Sequence, residues 1–196
     1  MTSNLADGLK RFSLDELAQE PWRNGCGITR RLIGHDVDSK PLWRISVADI
    51  TGNAPFSRFD GLDRQAVLVA GRNVTLCGDW GALAMNSVGD TARFPGELSV
   101  HTEIGCSLAR FWNVMADRTR MRIDLRVSSS PQESLVAVGD GALMVMDGEA
   151  EVFLGDQPCA TLRKDEGLLF DGFGDQLSLR FQEGACHWLL TTLKKR

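Results

Sequence analysis

Long apolar runs, paired cysteines, clustered histidines and a basic surplus are all missing from this 196-residue chain, and each absence removes a class of function. No stretch approaches the ~20 apolar residues of a membrane helix. The opening MTSNLADGLKRF lacks the hydrophobic run of a secretion signal. A cytoplasmic protein that does not engage a membrane is therefore expected. A net charge of −4 and a pI of about 5.4 argue against a nucleic-acid partner, which calls for a basic surface. Lys194-Lys195-Arg196 is the one basic run and reads as a solvated tail. The cysteines at 26, 77, 106, 159 and 186 form no CxxC pair, which speaks against a zinc ribbon or a thioredoxin motif. Reduced, mostly buried thiols are the plain expectation.

Helical periodicity is scarce too. Ser13-Leu14-Asp15-Glu16 has the S-x-x-E form of a capping box and predicts a short N-terminal helix, which Pro21 would stop. Beyond it, alternation takes over. In MRIDLRV (121–127) Met121, Ile123, Leu125 and Val127 share one face and Arg122, Asp124 and Arg126 the other, a half-buried strand. WRISV (43–47) puts Arg44 and Ser46 together on one face. Turn signals at Asp60-Gly61, Gly78-Asp79, Gly89-Asp90, Gly139-Asp140-Gly141 and Gly155-Asp156 cut the chain into many short strands. LSLRF (177–181) and HWLLTTL (187–193) suit core strands near the end. This spacing favours an all-β sandwich or barrel.

An internal echo suggests duplication. VLVAGRNVTLCGD (67–79) aligns with MVMDGEAEVFLGD (144–156), and Phe94, Gly96 and Trp112 then match Phe170, Gly172 and Trp188. Two tandem sandwich or jelly-roll units are expected, residues 1–117 and 118–196. No Pro/Gly/Ser linker separates them, so the two should pack closely.

Two blocks carry the functional signal, WRNGCGITRR (22–31) and WRISVADITGNAPFSRFDGLDR (43–64). They set arginines and hydroxyls beside Trp22, Trp43, Phe56 and Phe59, the mixture of apolar wall and placed polar groups found in concave ligand sites. Asn24-Gly25-Cys26-Gly27 offers exposed amides that can form an anion-binding nest, or it is simply a tight loop entering a strand. Arg64 stands at the entrance of the apolar strand AVLVA (66–70). There it makes a bidentate contact with a ligand carboxylate, or an internal salt bridge to Asp60 or Asp63. Cys26 reads as a small filler residue rather than a nucleophile, since no histidine is near it in sequence.

PWRNGCGITR, WRISVADITGNAPFSRFDGLDR and FWNVM (111–115) resemble the HutD/Ves family. Its members carry W-[KR]-N-G-G-G-x-T-R-E, then W-R-x-S leading into F-S-x-F-x-G-x-D-R, then N-x-M. The likeness covers roughly residues 21–115. It implies a bicupin, two fused cupin or jelly-roll β-barrels, and a role in histidine utilisation or stress response. The ligand class it implies is a small carboxylate such as a formylated glutamate. By motif position it implies a pocket formed by Asn24, Gly27, Thr29, Arg30, Arg44, Ser46, Ser57, Arg64 and Asn113. Cys26 replaces a family glycine, Arg31 a glutamate, and Trp112 stands in a segment usually reading D-F-N, so this pocket is less negative than usual.

His35, His101 and His187 are too dispersed for the two-histidine metal motif of many cupins. His101-Thr102-Glu103 comes nearest and lacks its partner histidine, while His187-Trp188 reads as part of a core strand. No metal and no cofactor are expected. The leading expectation is metal-independent binding of a small anionic metabolite in a regulatory or buffering role. The alternative is a cupin-type isomerase, lyase or hydrolase using His101, Glu103 or Asp63 as acid or base. Exposed sheet edges also offer a route to a homodimer or to a protein partner.

Overall fold

The computed structural model describes residues 4–130, 132–181 and 187–196, and almost all of them lie in strands or turns. The first strands are β1 (Asn4–Ala6), β2 (Leu9–Ser13), β3 (Glu20–Pro21), β4 (Gly27–Val37), β5 (Lys40–Ile50) and β6 (Ala54–Pro55). Next come β7 (Leu62–Ala70), β8 (Val74–Gly78), β9 (Gly81–Met85), β10 (Thr91–Pro95), β11 (Val100–Ile104) and β12 (Ala109–Asp117). The last are β13 (Met121–Ser128), β14 (Gln132–Asp147), β15 (Glu149–Leu154), β16 (Gln157–Arg163), β17 (Glu166–Phe181) and β18 (His187–Lys195). No helix among the described residues is long and apolar enough to cross a membrane.

The chain divides into two compact units, Ala18–Ile123 with Lys195–Arg196, and Met1–Leu17 with Asp124–Lys194. The first holds a six-stranded sheet, β10-β7-β12-β5-β4-β3, and a four-stranded sheet, β6-β11-β8-β9. Their inner faces supply one core. Ile50, Ala66, Leu68, Phe94 and Phe111 come from the larger sheet, and Ala54, Val74, Leu76, Met85 and Val100 from the smaller. Each of the larger of these side chains contributes about 1.5–3 kcal/mol on leaving water, which makes alternation the organising force of the unit. Phe56 stacks on Phe94 at 6.2 Å between ring centroids and meets Phe111 edge-on at 5.9 Å.

In the second unit Leu9, Leu143, Val145, Ala150, Val152, Leu162, Leu168, Phe170, Phe173, Trp188 and Leu190 form the core. The strands there belong to an eight-stranded sheet in which β14 pairs with both β17 and β18. Strand LSLRF is present within β17, although the side chains of 177–179 and 181 lie outside the described residues.

Three expectations change. The N-terminal helix is a single 3-10 turn at Leu14–Glu16, and Ser13 is extended with no side-chain cap. The residues before it are committed to the sheet instead. Strand β2 pairs with β17 from Ser13↔Glu166 to Leu9↔Phe170, and Leu9, Phe12 and Leu14 are buried there. Tertiary pairing overrides a local capping signal of about 1 kcal/mol. Gly139-Asp140-Gly141 is no turn either. Strand β14 runs through it with a register shift, and Gly139 takes a positive φ of 89°, as a bulge requires. Finally, the pairings among the described residues leave open sheets and close no hydrogen-bonded barrel. The turns at Asp60-Gly61, Gly78-Asp79, Gly89-Asp90 and Gly155-Asp156 all connect strands. Cys26, Cys77, Cys106 and Cys159 are free and half-buried rather than buried, and Cys186 lies outside the described residues.

Candidate functional site

Strand pleat decides which side chains of the six-stranded sheet meet. On β5, Arg44, Ser46 and Ala48 point to the same face as the core residue Ile50, and on β12 Asn113 and Met115 continue the face of Phe111. On β7, Arg64 continues the face of Ala66 and Leu68. The core ends part-way along these strands, and beyond it the same face opens into a cavity of about 480 Å³. Its polar lining includes Asn24, Thr29, Arg44, Ser46, Ser57, Arg64 and Asn113, and its apolar lining Trp22, Phe56, Phe59 and Met115. Seven of the nine expected residues are therefore brought together, from segments as far apart as Asn24 and Asn113.

The other two do not line the cavity. Pleat alternation turns Arg30 away from its neighbour Thr29, onto the reverse face of the sheet. There Arg30 Nη1 donates to Asp49 Oδ2 at 2.9 Å, and Arg110 Nη2 donates to the same carboxylate oxygen at 3.0 Å. Burial pushes the Asp49 carboxyl up, but the hydrogen bonds from Arg110 and Arg30 outweigh it and hold it below the ordinary carboxylate range. Arg30 is a structural cation. Gly27 supports the wall from behind, since a Cβ there would stand 2.5 Å from the Asp49 carbonyl oxygen and 3.1 Å from the Trp22 ring.

The WRNGCG loop is tightened by its own groups. Asn24 Oδ1 accepts from the Cys26 amide at 3.0 Å, Gly25 adopts a φ of 71°, and the Trp22 amide donates to the Gly27 carbonyl at 2.9 Å. This geometry lays the Trp22 indole along the cavity, and its Nε1 donates to Thr29 Oγ1 at 2.8 Å. Arg23 and Met115 also line the cavity. Sequence reasoning missed both, although Met115 shares pleat parity with Asn113.

Arg64 dominates the floor. Its residue is 7% exposed, and its guanidinium lies over Phe56 at 4.2 Å and Phe94 at 5.6 Å from the ring centroids. Nη2 donates to Asn113 Oδ1 at 2.8 Å, and Nη1 reaches the Ser57 carbonyl at 3.4 Å. The internal salt bridge to Asp60 or Asp63 is not made; Asp63 meets Arg118 at 3.3 Å. Among the described residues no carboxylate pairs with Arg64, and burial together with the nearby Arg44 draws its pKa down to about 9. Arg44 lies over Phe59 at 5.2 Å, and its buried Nε finds no hydrogen-bond acceptor among the described residues. Burial and the charge of Arg31 lower its proton affinity, while Glu20 and Asp36 act against them. Three arginines, the exposed Arg23 and the more buried Arg44 and Arg64, thus line one cavity with no acid among its lining residues.

Comparison with known proteins places this architecture. A cupin 2 conserved barrel domain protein from Leptotrichia buccalis superimposes with a TM-score of 0.62 at 14% identity, covering 94% of this chain and 96% of that one. The fold is accordingly all-β and cupin-like. The family model described as HutD matches residues 14–188, and the chain belongs to that family. Protein Ves from Citrobacter koseri is 27% identical over 184 residues, 90% of each chain. The structure of HutD from Pseudomonas fluorescens SBW25 superimposes with a TM-score of 0.80 at 21% identity, over 96% of this chain and 99% of that one.

Proposed function

We propose that the cavity binds a small anionic metabolite, a carboxylate, without a metal, and that the protein senses or buffers its level. The observation that carries this reading is Arg64, a buried guanidinium with no carboxylate partner among the described residues, aimed with Arg44 into one cavity. A buried cation of this kind is costly unless something negative joins it. A dicarboxylate does so with bidentate geometry, and the aromatic walls keep the contact dry. Sensing between ~1 mM and ~1 µM needs roughly −4 to −8 kcal/mol. Two or three charge-assisted hydrogen bonds at about 1.5–3 kcal/mol each cover that range.

Family membership extends the reading to histidine utilisation or stress response, with a formylated glutamate from histidine breakdown as the ligand to try first. The enzymatic alternative draws no support from the lining. None of His101, Glu103 and Asp63, its candidate acids and bases, lines the cavity. We also read the two units as copies of one duplicated cupin-type sandwich. Phe94 and Phe170 each join the core cluster of their unit, which supports that reading. A cytoplasmic location and dimerisation through sheet edges complete the proposal.

Calorimetric titration of the purified protein with glutamate, N-formylglutamate and other dicarboxylates tests the ligand class. Saturable binding that disappears in Arg64→Met is expected. Equal affinity in that variant overturns the assignment of Arg64 to the site.

A further inference from the structure

A second constellation lies on the four-stranded sheet, on the face turned away from the core. Strands β8 and β11 are antiparallel with Cys77 directly opposite His101. Glu103 follows His101 by two residues, so the pleat places all three side chains on one face. Leu76, Val100 and Thr102 alternate with them and fill the buried face. The thiol sulfur, an imidazole nitrogen and a carboxylate oxygen all lie within 4.8 Å of one another. Cys77 is half-buried, and His101 and Glu103 are exposed. His101 Nε2 stands 3.8 Å from Glu103 Oε1, too far for a hydrogen bond.

Within the trio the Cys77 thiol hydrogen-bonds Glu103, and burial with that carboxylate's charge raises its pKa, so a metal ion has to displace the thiol proton. Pro55 stands opposite His101 on β6, Ala82 opposite Cys77 on β9, and Thr75 opposite Glu103 on β8. None of these carries a positive charge to occupy Glu103. A tetrahedral ion holding sulfur at about 2.3 Å and nitrogen or oxygen at about 2.0 Å separates its donors by roughly 3.3–3.6 Å. Closing that gap takes only small rotations of solvent-facing side chains, on a backbone whose register is fixed by hydrogen bonds.

We propose that Cys77, His101 and Glu103 form a binding site for a zinc ion on the outer face of this sheet. The donor set selects the metal. A thiolate and an imidazole disfavour magnesium and calcium, which take oxygen ligands, and suit a borderline-soft divalent ion. Thiolate and carboxylate together neutralise its two charges. Three protein donors leave the fourth tetrahedral position to water. No sequence motif announces this site, because Cys77 joins the His101-Thr102-Glu103 segment only through strand pairing. None of the three residues lines the cavity, so the carboxylate reading and the zinc site stand or fall separately.

The test is a calorimetric titration of chelator-stripped protein with Zn²⁺, repeated with Co²⁺ while its absorption is followed. One equivalent should bind at micromolar Kd or tighter, and Co²⁺ should show a thiolate-to-cobalt charge-transfer band. Cys77→Ser should abolish the band. Cys77→Ser and His101→Ala should each weaken binding by more than the roughly tenfold that loss of even an outer-shell partner costs. Glu103→Gln should weaken it with the fold unchanged. Thermal unfolding of the metal-free variants should match the parent, which separates ligand loss from misfolding, and two independent ligand variants guard against one failing to fold. Absence of a saturable equivalent overturns the proposal, as does affinity unchanged in Cys77→Ser and His101→Ala.

Discussion

Replacing Arg64 by methionine should stabilise the unliganded protein while removing its response to carboxylates. Arg64 sits beneath Phe56 and Phe94 with no acidic partner among the described residues, and its pKa falls to about 9. At about 1.4 kcal/mol per tenfold change in proton affinity, a descent of this size from the ordinary arginine range reflects an unfavourable burial on the order of 4 kcal/mol. Methionine removes that cost and keeps the apolar packing. Against it stand the lost hydrogen bond to Asn113, about 1.5 kcal/mol for a charged donor, and the lost contact with the Phe56 ring, about 1 kcal/mol. The balance is a gain of roughly 1–2 kcal/mol, or about 2–8 °C in Tm for a chain of this size. The gain should also depend on pH. The destabilising effect of Arg64 is complete below its folded pKa and is relieved as pH climbs through about 9. In that range the unfolded chain keeps its proton. The variant's advantage should therefore be flat near neutrality and shrink above pH 9. Differential scanning calorimetry of both proteins across that range measures it. A variant several degrees less stable than the parent at pH 7 refutes the reasoning, because Arg64 would then be a structural keystone rather than a cation awaiting an anion.

The same pKa predicts that carboxylate affinity is constant near pH 7 and falls as pH rises through about 9, checked by titration at several pH values. Asp49→Asn should cost about 3 kcal/mol in urea unfolding at pH 7, because it leaves the buried Arg30 and the half-buried Arg110 facing a neutral group. The Asp49 carboxyl is held below its unfolded value of about 3.9, so its contribution is present above that pH and disappears as pH falls through the lower folded value. The gap between parent and Asp49→Asn should close in acid. Gly27→Ala should destabilise by about 1–3 kcal/mol and weaken carboxylate binding, since its Cβ drives against the Asp49 carbonyl and the Trp22 ring.

Much of the site is readable from alternation. WRISV predicts Arg44 and Ser46 on one face, and both line the cavity. The same rule applied to GITR separates Thr29 from Arg30, and the structure follows it by sending Arg30 to Asp49. Motif position alone had grouped the two. The partners of Arg64 were not readable. Asp60 and Asp63 are close in sequence, yet Asn113 is the acceptor, because β7 and β12 lie side by side. The expected N-terminal helix failed for a related reason, as the cap at Ser13 is local and the competing strand, β17, is more than 150 residues away.

Composition and pleat period determined by themselves that this chain is all-β, that most of its Gly-Asp signals join strands, and that Arg44 and Ser46 share a face. Those features need only local sterics and the burial of every second side chain. Which face opens into a cavity, which cation stays without an acid, and whether Cys77 meets His101 were decided by tertiary structure. Strand order and register join residues distant along the chain, and no local preference encodes such neighbours.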